Sequence, residues 1–374
     1  MRILTGIDLP WGSPGGSMEL LRDLYLDPAG PLSADVFAFP GRDVRALPRA
    51  DVRGDHPPGV PGPTVLTVPG KELHGPPFWA YVDRLAATLR ERFAPDAYAA
   101  LHLQHLAFGA TPALIRAFAR LPALALVHGT DLLIARDRAT QAEVLREAVR
   151  HARTVVVPTT AMADVLRTLT PDMPCRTVHV PWGVPDELLK APLPSRTPGS
   201  TDRLRLLYAG RLDPQKGLGP LLSALEHVPG AELSVAGPPS DLAALGPALS
   251  GRLTALGWLP RAELWRTFAA HDALVMPSTR LEAFGLVAVE AQACGLPVLY
   301  QPVPGLSQAL GDSALPVDLH DAKELGAALA ELRADPTILT QLRAAGRRNA
   351  ARYPLSRTAR LLHQLTEEIA CVAL

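Results

Sequence analysis

Short apolar runs alternate with longer amphipathic stretches along most of the chain. In the first half, the amphipathic stretches predict helices at 17–25, 77–93, 110–120, 139–152 and 160–170. The apolar runs between them predict strands at MRILTGI, ADVFAFP, AYAALHL, ALALVHG, TVVVPT and CRTVHVP. Strands and helices that alternate in this way are typical of a parallel sheet covered by helices on both faces. The pattern therefore predicts an α/β fold whose first half is one doubly wound lobe.

The second half of the chain repeats this arrangement. After a stretch rich in Pro and Ser at 191–202, new apolar runs predict strands at LRLLYAG, AELSVAG, RLTALGW, DALVMPS and LPVLYQP. The expected hinge lies at 181–185, because Pro fixes φ there and Gly183 tolerates unusual dihedral angles. We therefore predict two doubly wound domains, 1–183 and 184–355.

Residues 42–76 do not follow this pattern. They are crowded with Pro and Gly, as in HPPGVPGP, and only TVLTV within them resembles a strand. A loop of this length in a compact domain is usually a functional flap or a segment without fixed structure. We expect a flap over a ligand-binding cleft, and the second interpretation stays open.

Composition and charge exclude several classes of protein. The 374 residues suit two domains, and 48% apolar residues supply two packed cores. Lys plus Arg and Asp plus Glu both total 37, so no net field attracts nucleic acid or an anionic membrane. The three cysteines are widely spaced and form no CxxC pair, which fits a reduced, cytoplasmic protein. We expect no signal peptide and no membrane span, because the sequence lacks the apolar runs that either would need.

The most informative stretch is PSTRLEAFGLVAVEAQACGLPVL, which follows a predicted strand. A helix is expected to begin near Ala283 or Phe284, with Glu282 at its mouth and Glu290 inside it. Ligands of open α/β sheets bind beyond the carboxyl ends of the strands, where this helix begins. Its first N–H groups suit a phosphate, and the two carboxylates suit sugar hydroxyls. The alternative is that Glu282 caps the helix and Glu290 pairs with an arginine.

The stretch LRLLYAGRLDPQKGLGPLLSAL carries a second candidate site. Arg211 and Lys216 follow a predicted strand, beside glycines that let a ligand approach the backbone. Two cations in this position suit a diphosphate. Lys216 is also one of only four lysines in the chain. The alternative is a solvated surface loop.

The first lobe contributes weaker signals. Gly15 and Gly16 form a turn between the first strand and a helix, where a phosphate can come close to the backbone. His128 ends a predicted strand in LALVHGTDLL, although a single histidine is more often structural. His102 and His105 end another strand, where they either line a cleft or pack. No carboxylate stands at ligand spacing from them, so we expect no metal site.

Together these motifs resemble the retaining nucleotide-sugar glycosyltransferases with the GT-B fold, the group 1 family with a Glu-x7-Glu motif. The resemblance extends over almost the whole length, and the pair of Glu282 and Glu290 is its most specific element. AGRLDPQKGL is nearly as diagnostic, and SPGGS and LVHGTD occur in the right order. The resemblance implies two Rossmann-like doubly wound domains that face a cleft, the first binding the acceptor and the second the nucleotide sugar. It also implies that a C-terminal helix at 356–374 crosses back to the first domain.

The resemblance further implies a role for each motif. Glu290 would bind the ribose hydroxyls, and Glu282 would bind the donor sugar. Arg211 and Lys216 would bind the diphosphate, and His128 would lie near the donor sugar and the reacting centre. The other residues expected to contact the donor are Gly15, Gly16, Trp258, Leu259, Ala283, Phe284, Gly285 and Leu286.

The expected enzyme is a hexosyl- or pentosyltransferase that uses a nucleoside-diphosphate sugar, with a UDP-sugar as the first expectation. Arg211, Lys216 and a helix N-terminus can stabilise the charge on the leaving diphosphate, so we expect neither a metal nor a cofactor. Retention of configuration is implied by the resemblance. The chain departs from the family at Trp182, where Asn often stands, and at Gln308, where Glu often stands. These departures leave the subgroup open.

The acceptor is expected in the first domain, where Asp8, Glu19, His105 and Asp131 lie on the ligand-binding edge. The helix at 77–93 mixes basic and acidic residues, which is typical of an ordinary surface helix and not of a membrane anchor. We therefore expect a small soluble polyhydroxy or amino-sugar acceptor, as in antibiotic or small-glycoside biosynthesis, and no stable membrane association. The alternatives are transfer to a lipid-linked acceptor, a nucleotide-sugar 2-epimerase, and a non-catalytic two-lobed sugar-binding protein.

Overall fold

The chain divides into two compact α/β units. The computed structural model describes residues 1–27, 30–40, 62–193, 203–238 and 251–371. The first unit comprises Met1–Ser13, Ser17–Pro181 and Leu355–Leu374, and the second comprises Pro14–Gly16 and Trp182–Pro354. Each unit is built around one parallel sheet.

The first sheet has seven strands among the described residues. They are β1 Arg2–Pro10, β2 Ser33–Phe39, β3 Thr64–Val65, β4 Ala100–Gln104, β5 Ala123–Leu126, β6 Ala152–Val157 and β7 Thr177–His179. All neighbouring strands pair in parallel, in the order β3-β2-β1-β4-β5-β6-β7. This order is that of the doubly wound Rossmann fold, extended by one strand.

The second sheet has six strands among the described residues. They are β8 Leu204–Ala209, β9 Ala231–Ala236, β10 Leu253–Gly257, β11 Ala273–Met276, β12 Val298–Tyr300 and β13 Leu315–Pro316. They pair in parallel in the order β10-β9-β8-β11-β12-β13, which is again the Rossmann order. The predicted α/β class with two Rossmann-like doubly wound domains is therefore confirmed.

Helices connect the strands of both sheets, and three further helices follow β13. They are α1 Gly16–Tyr25, α2 Pro76–Arg92, α3 Ala110–Ala117, α4 Thr130–Asp137, α5 Ala139–His151, α6 Thr160–Leu169, α7 Asp186–Lys190, α8 Leu218–Glu226, α9 Arg261–Phe268, α10 Leu286–Ala293, α11 Leu306–Leu310, α12 Ala322–Ala334, α13 Pro336–Ala350 and α14 Leu355–Cys371. Asp321 and Asp335 cap α12 and α13, where their carboxylates accept backbone N–H bonds. Pro336 stands at the first helical position of α13, where its missing N–H has no partner to lose.

The apolar strands form because helices cover both faces of each sheet. Every residue of β5 and β11 is buried, which explains why these strands read as continuous apolar runs. In the second unit, Leu206, Leu221 and Leu325 are buried completely and join the sheet to α8 and α12. No helix within the described ranges is long and apolar enough to cross a bilayer.

The structure corrects two element predictions. The helix expected from Ala283 or Phe284 begins later, at Leu286, because Gly285 takes a left-handed φ of 78° that helical residues do not adopt. Helix α4 was not predicted. It begins directly after Gly129, and its apolar residues follow the apolar run of the preceding strand so closely that the sequence shows one stretch. Gly129 has a φ of 92° and separates the strand from this helix.

Two other differences concern short or undescribed segments. The sequence analysis missed β13, whose two residues are too few to show periodicity. Of the stretch predicted as a flap, residues 42–61 lie outside the described residues. Within 62–76, Thr64–Val65 is a strand and most of the remainder is loop, so the flap itself stays a prediction.

A buried histidine ties the C-terminal helix to the first sheet. The side chain of His102 is fully buried on β4. Its Nδ1 lies 2.7 Å from the Tyr25 hydroxyl on α1, and its Nε2 lies 2.8 Å from the Thr366 hydroxyl on α14. Burial lowers the pKa of His102 to about 3, so the ring is neutral at physiological pH.

Acid is therefore expected to destabilise the protein through His102. An unfolded histidine binds a proton below about pH 6.5, whereas the buried ring stays neutral. The contribution of His102 to the free energy of unfolding therefore has its full value above about pH 6.5. It falls as the pH falls, by about 2 kcal/mol at about pH 5. We expect His102→Gln to lack this part of the pH dependence of the urea unfolding midpoint.

The matched control is Thr366→Val, which removes one hydrogen bond of His102 and no titratable group. It is expected to lower the midpoint at neutral and acidic pH alike. Equal pH dependence in His102→Gln and the unchanged protein would contradict the prediction.

Candidate active site

Two loops meet at the carboxyl edge of the second sheet. One follows β8 and the other follows β11, and these strands are neighbours. The backbone N–H of Thr279 in the second loop donates to the carbonyl of Gln215 in the first, at 2.9 Å. Parallel strands deliver their following loops to the same edge, which brings together two motifs that lie more than 60 residues apart.

Gly217 makes this close approach possible. It has a φ of 71°, and a Cβ at this position would lie 1.8 Å from the carbonyl oxygen of Pro277. His320 donates through Nε2 to the same carbonyl at 2.8 Å. A residue with a side chain cannot replace Gly217 without moving one loop away from the other.

Lys216 and Glu282 form an ion pair across these loops. The Lys216 Nζ lies 2.5 Å from Glu282 Oε2, and the Ser278 hydroxyl donates to the same oxygen at 3.2 Å. Both charged side chains are partly buried, with 26% and 15% of their surface exposed. Glu282 therefore pairs with a cation, and helix α10 has Gly285 as its N-cap with no side-chain hydrogen bond to the cap, so the alternative that Glu282 caps this helix is not observed. The structure brings the two sequence motifs together.

Arg211 lies in the same loop as Lys216 but has another partner. Its guanidinium is 3.3 Å from the carboxylate of Asp213, and its side chain is 39% exposed. The Tyr208 hydroxyl donates to the Arg211 carbonyl, and Asp213 Oδ1 accepts from the Gln215 N–H at 3.1 Å. These contacts fix the loop while the guanidinium faces solvent.

Helix α10 begins beside this ion pair. Its N-cap is Gly285, which has no side chain to occupy the first N–H groups of the helix. The side chains of Ala283 and Phe284 are buried, so only their backbones can face a ligand, and Leu286 is partly buried. Gly305 approaches this segment so closely that its Cβ would lie 1.7 Å from the Glu282 carbonyl oxygen.

Glu290 is held by two residues that the sequence analysis did not select. Arg261 donates to Glu290 Oε1 through Nε at 2.9 Å and through Nη2 at 2.5 Å. The Trp265 Nε1 donates to Oε2 at 3.3 Å, and the Arg261 guanidinium lies over the Trp265 ring. The alternative of an arginine partner for Glu290 is thus observed. A carboxylate has about four acceptor sites, so this one retains capacity for a further donor.

The spacing of Arg261 and Trp265 in the sequence could have identified them as residues of one helix face. They stand four residues apart on α9 and therefore share one face of that helix. Trp258 and Leu259 come just before this helix. Trp258 is 39% exposed and Leu259 is partly buried.

In the first unit, Asp8 lies within β1 and is almost completely buried. Its carboxylate contacts the Lys71 Nζ at 2.8 Å, the Tyr81 hydroxyl at 3.1 Å and the Gly109 N–H at 3.0 Å. Burial raises the pKa of the Asp8 carboxyl, and Lys71 opposes this rise. Lys71 was not selected from the sequence, because only the fold brings it to Asp8.

His105, His128 and Asp131 also come together in the first unit. The rings of His105 and His128 have centroids 4.9 Å apart in an edge-to-face arrangement. The Asp131 carboxylate is fully buried and accepts the backbone N–H groups of Leu106 at 3.1 Å and of His128 at 3.3 Å. Burial raises the pKa of Asp131, and these bonds oppose the rise. Asp131 thus orients the loops that carry both histidines.

The remaining predicted residues lie around α1. Gly15 has a φ of 143°, and Gly16 is the first residue of the helix. Glu19 forms an ion pair with Arg22 one turn later. Roles for these residues in ligand binding stay predictions.

Within the described part of the chain, no three His, Cys, Asp or Glu side chains cluster as ligands for a metal ion. The charged groups at the edge of the second sheet instead form pairs of opposite sign. Such pairs suit a ligand that combines phosphate charge with hydroxyl groups.

Two family models match the chain. The model described as "Glycosyl transferases group 1" matches residues 194–352, and the model described as "Glycosyltransferase Family 4" matches residues 35–188. The D-inositol 3-phosphate glycosyltransferase 1 of Catenulispora acidiphila is 32% identical over 299 residues, which cover 70% of each chain.

Solved structures show the same fold. Sucrose-phosphate synthase from Thermosynechococcus elongatus matches with a TM-score of 0.78 and 21% identity over 99% of both chains. The Anabaena protein HepE, solved in complex with UDP and glucose, matches with a TM-score of 0.72 and 20% identity, over 98% of this chain and 100% of that one.

The close approach at Gly217 predicts a sensitive position. Gly217→Ala is expected to destabilise the protein by about 2 kcal/mol or more, because it adds a left-handed alanine and a backbone clash. The control is Gly219→Ala on α8, where a Cβ meets no atom within 4 Å and the variant gains helix propensity. Thermal unfolding measures both. Equal melting temperatures for the two variants would contradict the close approach.

Proposed function

The chain belongs to the family of glycosyl transferases group 1, and we propose that it transfers a sugar from a UDP-sugar to a small soluble acceptor with retention of configuration. The observation that carries this proposal is the ion pair of Lys216 with Glu282 beside the N-terminus of α10. A cation and helix N–H groups suit phosphate oxygens, and the adjacent carboxylate suits sugar hydroxyls. The Anabaena relative in fold was solved with UDP and glucose, which supports a UDP-sugar as donor.

Lys216 exchanges partners when the donor binds. A diphosphate carries more negative charge than the Glu282 carboxylate, so it draws the ammonium toward itself. Glu282 is then released to accept hydrogen bonds from the sugar. Arg211, which is 39% exposed, can turn from Asp213 to the same phosphates. The donor therefore replaces one set of ionic contacts with another.

The same groups stabilise the leaving diphosphate. When the bond between the sugar and the bridging oxygen breaks, negative charge develops on that oxygen. Lys216, Arg211 and the first N–H groups of α10 stabilise it electrostatically. We assign no metal ion to this step. The acceptor attacks on the face from which the diphosphate leaves, and a diphosphate oxygen helps to remove its proton.

Glu290 binds the ribose in this proposal. The donors from Arg261 and Trp265 already orient its carboxylate, and the ribose hydroxyls add to them. Trp258 and Leu259 precede α9, so the base is assigned to that segment. Arg261 thus becomes a positioning residue for nucleotide binding.

The acceptor is assigned to the first unit. The relative from Catenulispora acidiphila is named for an inositol phosphate, which supports a small polyhydroxy acceptor. Helix α2, which has the mixed charges of an ordinary surface helix, turns apolar residues such as Phe78, Val82 and Leu85 into the core, and the Arg116 guanidinium lies 4.7 Å from the centre of the Trp79 ring. This packing favours a soluble acceptor over a lipid surface.

The direct test is product analysis with the intact chain. UDP-glucose and other UDP-sugars are incubated with inositol phosphates, sugar phosphates and amino sugars, with and without EDTA. We expect release of UDP that depends on the acceptor, persists in EDTA and yields the donor's anomeric configuration by NMR. Lys216→Ala is expected to abolish it, whereas Lys323→Ala on α12 retains it.

Other outcomes would contradict the proposal. An altered sugar without acceptor would indicate an epimerase, and tight binding without turnover would indicate a sugar-binding protein. Activity that requires liposomes would indicate a lipid-linked acceptor. Loss of activity in EDTA would contradict the proposal that the reaction needs no metal ion.

The two glutamates are expected to separate binding from turnover. Glu290→Gln should weaken UDP binding by about tenfold or more, because hydrogen bonds to a charged group are worth ~1.5–3 kcal/mol each. Glu282→Gln should leave UDP affinity unchanged or raise it, since it removes a competitor for Lys216, but should lower turnover. Calorimetry with UDP measures the first effect and steady-state kinetics the second. Equal losses of UDP affinity would refute the division of roles.

A further inference from the structure

A continuous chain of buried polar side chains runs through the first unit from His128 to the C-terminal helix. Each member lies within hydrogen-bond distance of the next. Apart from His128, the side chains in this chain are no more than 4% exposed. They are Gln104, Thr5, Tyr25, His102 and Thr366.

The register of the sheet brings these residues together. Thr5 on β1 pairs with His102 on β4, and Gln104 at the end of β4 pairs with Leu126 on β5. His128 follows Leu126 by two residues, so it lies beside Gln104. Its Nε2 is 2.7 Å from Gln104 Oε1.

The hydroxyl of Thr5 determines the orientation of the Gln104 amide. Thr5 has one hydroxyl proton, and it donates this proton to the His102 carbonyl at 2.8 Å. The Gln104 group 3.2 Å from the Thr5 oxygen must therefore be the NH₂ donor. The carbonyl oxygen of Gln104 then faces His128. Because a carbonyl oxygen only accepts, the proton of this bond belongs to His128 Nε2.

The opposite end of this series of hydrogen-bonded side chains, at Thr366, gives the same orientation of the Gln104 amide. The Thr366 hydroxyl donates to the carbonyl of Leu362 at 2.5 Å, so it must accept from His102 Nε2. His102 is neutral, so its Nδ1 accepts from the Tyr25 hydroxyl. That hydroxyl in turn accepts from the second amide proton of Gln104 at 3.3 Å. Rotation of the amide by 180° would place acceptor against acceptor at Thr5 and Tyr25.

We propose that Gln104 is a positioning residue that holds His128 in the Nε2–H tautomer, so that Nδ1 is the hydrogen-bond acceptor of the ring. The role in catalysis rests on the proposed function and on the place that the family resemblance implies for His128, near the donor sugar. A sugar hydroxyl donates to Nδ1 in the bound complex. The chain through Tyr25 and His102 to α14 keeps the amide of Gln104 from rotating.

The surroundings of His128 favour a neutral ring. Burial lowers the pKa of His128 to about 4. Its titratable neighbours include His105, whose ring lies edge-to-face with it, and Asp131, whose carboxylate accepts the backbone N–H of His128. Neither of these contacts places a carboxylate on the ring nitrogens, whereas Gln104 contacts Nε2 directly.

The tautomer can be measured in the free enzyme by NMR. The full chain is labelled with ¹⁵N-histidine, and the signals of His128 are identified among its 11 histidines by their loss in His128→Asn. We expect a protonated Nε2 and an unprotonated Nδ1 at neutral pH. A protonated Nδ1, or a charged ring, would overturn the proposal whether or not the chain transfers a sugar.

Gln104→Glu tests the consequence for catalysis. A carboxylate beside Nε2 stabilises the charged imidazolium and raises the pKa of His128. We expect kcat/KM for the donor to fall by about tenfold at neutral pH, the scale of one lost hydrogen bond in the transition state. Activity should recover as the pH rises and the ring loses its proton.

Tyr25→Phe is the matched control. It removes one partner of the Gln104 amide but leaves Thr5 to orient it, so the Nε2–H tautomer and the shape of the pH profile should remain. A pH profile in Gln104→Glu that matches that of Tyr25→Phe would reduce Gln104 to a structural role. If the tautomer is as expected but no sugar is transferred, the proposed function fails and the tautomer assignment stands.

Discussion

The parallel pairing of every described strand is the constraint on which the rest of the structure depends. In each sheet, parallel pairing places the loops that follow the strands at one edge, so motifs that lie far apart in the sequence meet there. The ion pair of Lys216 with Glu282 and the contact of His128 with Gln104 both arise in this way. The central strands β4, β5 and β11 are buried on both faces, and the charged residues Lys216 and Glu282 stand in the loops that follow strands.

Close backbone approach determines which loops can share an edge. Gly217 and Gly305 lie so near a neighbouring carbonyl that a side chain at either position would overlap it. These glycines hold the segments that carry Lys216 and Glu282 in contact. The chemistry proposed for the second unit therefore depends on residues that have no chemistry of their own.

Burial divides the charged groups into two kinds. Asp8 and Asp131 are enclosed by donors from several elements, and their carboxylates hold backbone and side chains in position. Lys216 and Arg211 are more exposed, and each pairs with a single carboxylate. A pair that is only partly buried costs less to separate than an enclosed one, and the proposed function uses this when a phosphate replaces the carboxylate partner. A buried carboxylate with three donors has no such freedom, since its separation would leave several groups without partners.

The sequence by itself determined the fold class and most elements, because buried parallel strands and amphipathic helices have distinct periods. It also identified Glu282, Glu290, Arg211 and Lys216 as candidate site residues, since these stand in local motifs. It did not reveal Arg261, Trp265, Lys71 or Gln104 as partners of the predicted residues. Their contacts join segments 24 to 63 residues apart, and only strand register and helix packing bring such segments together. The direction of each proton along the chain from His128 to Thr366 likewise exists only in the folded molecule, where every buried donor needs one acceptor.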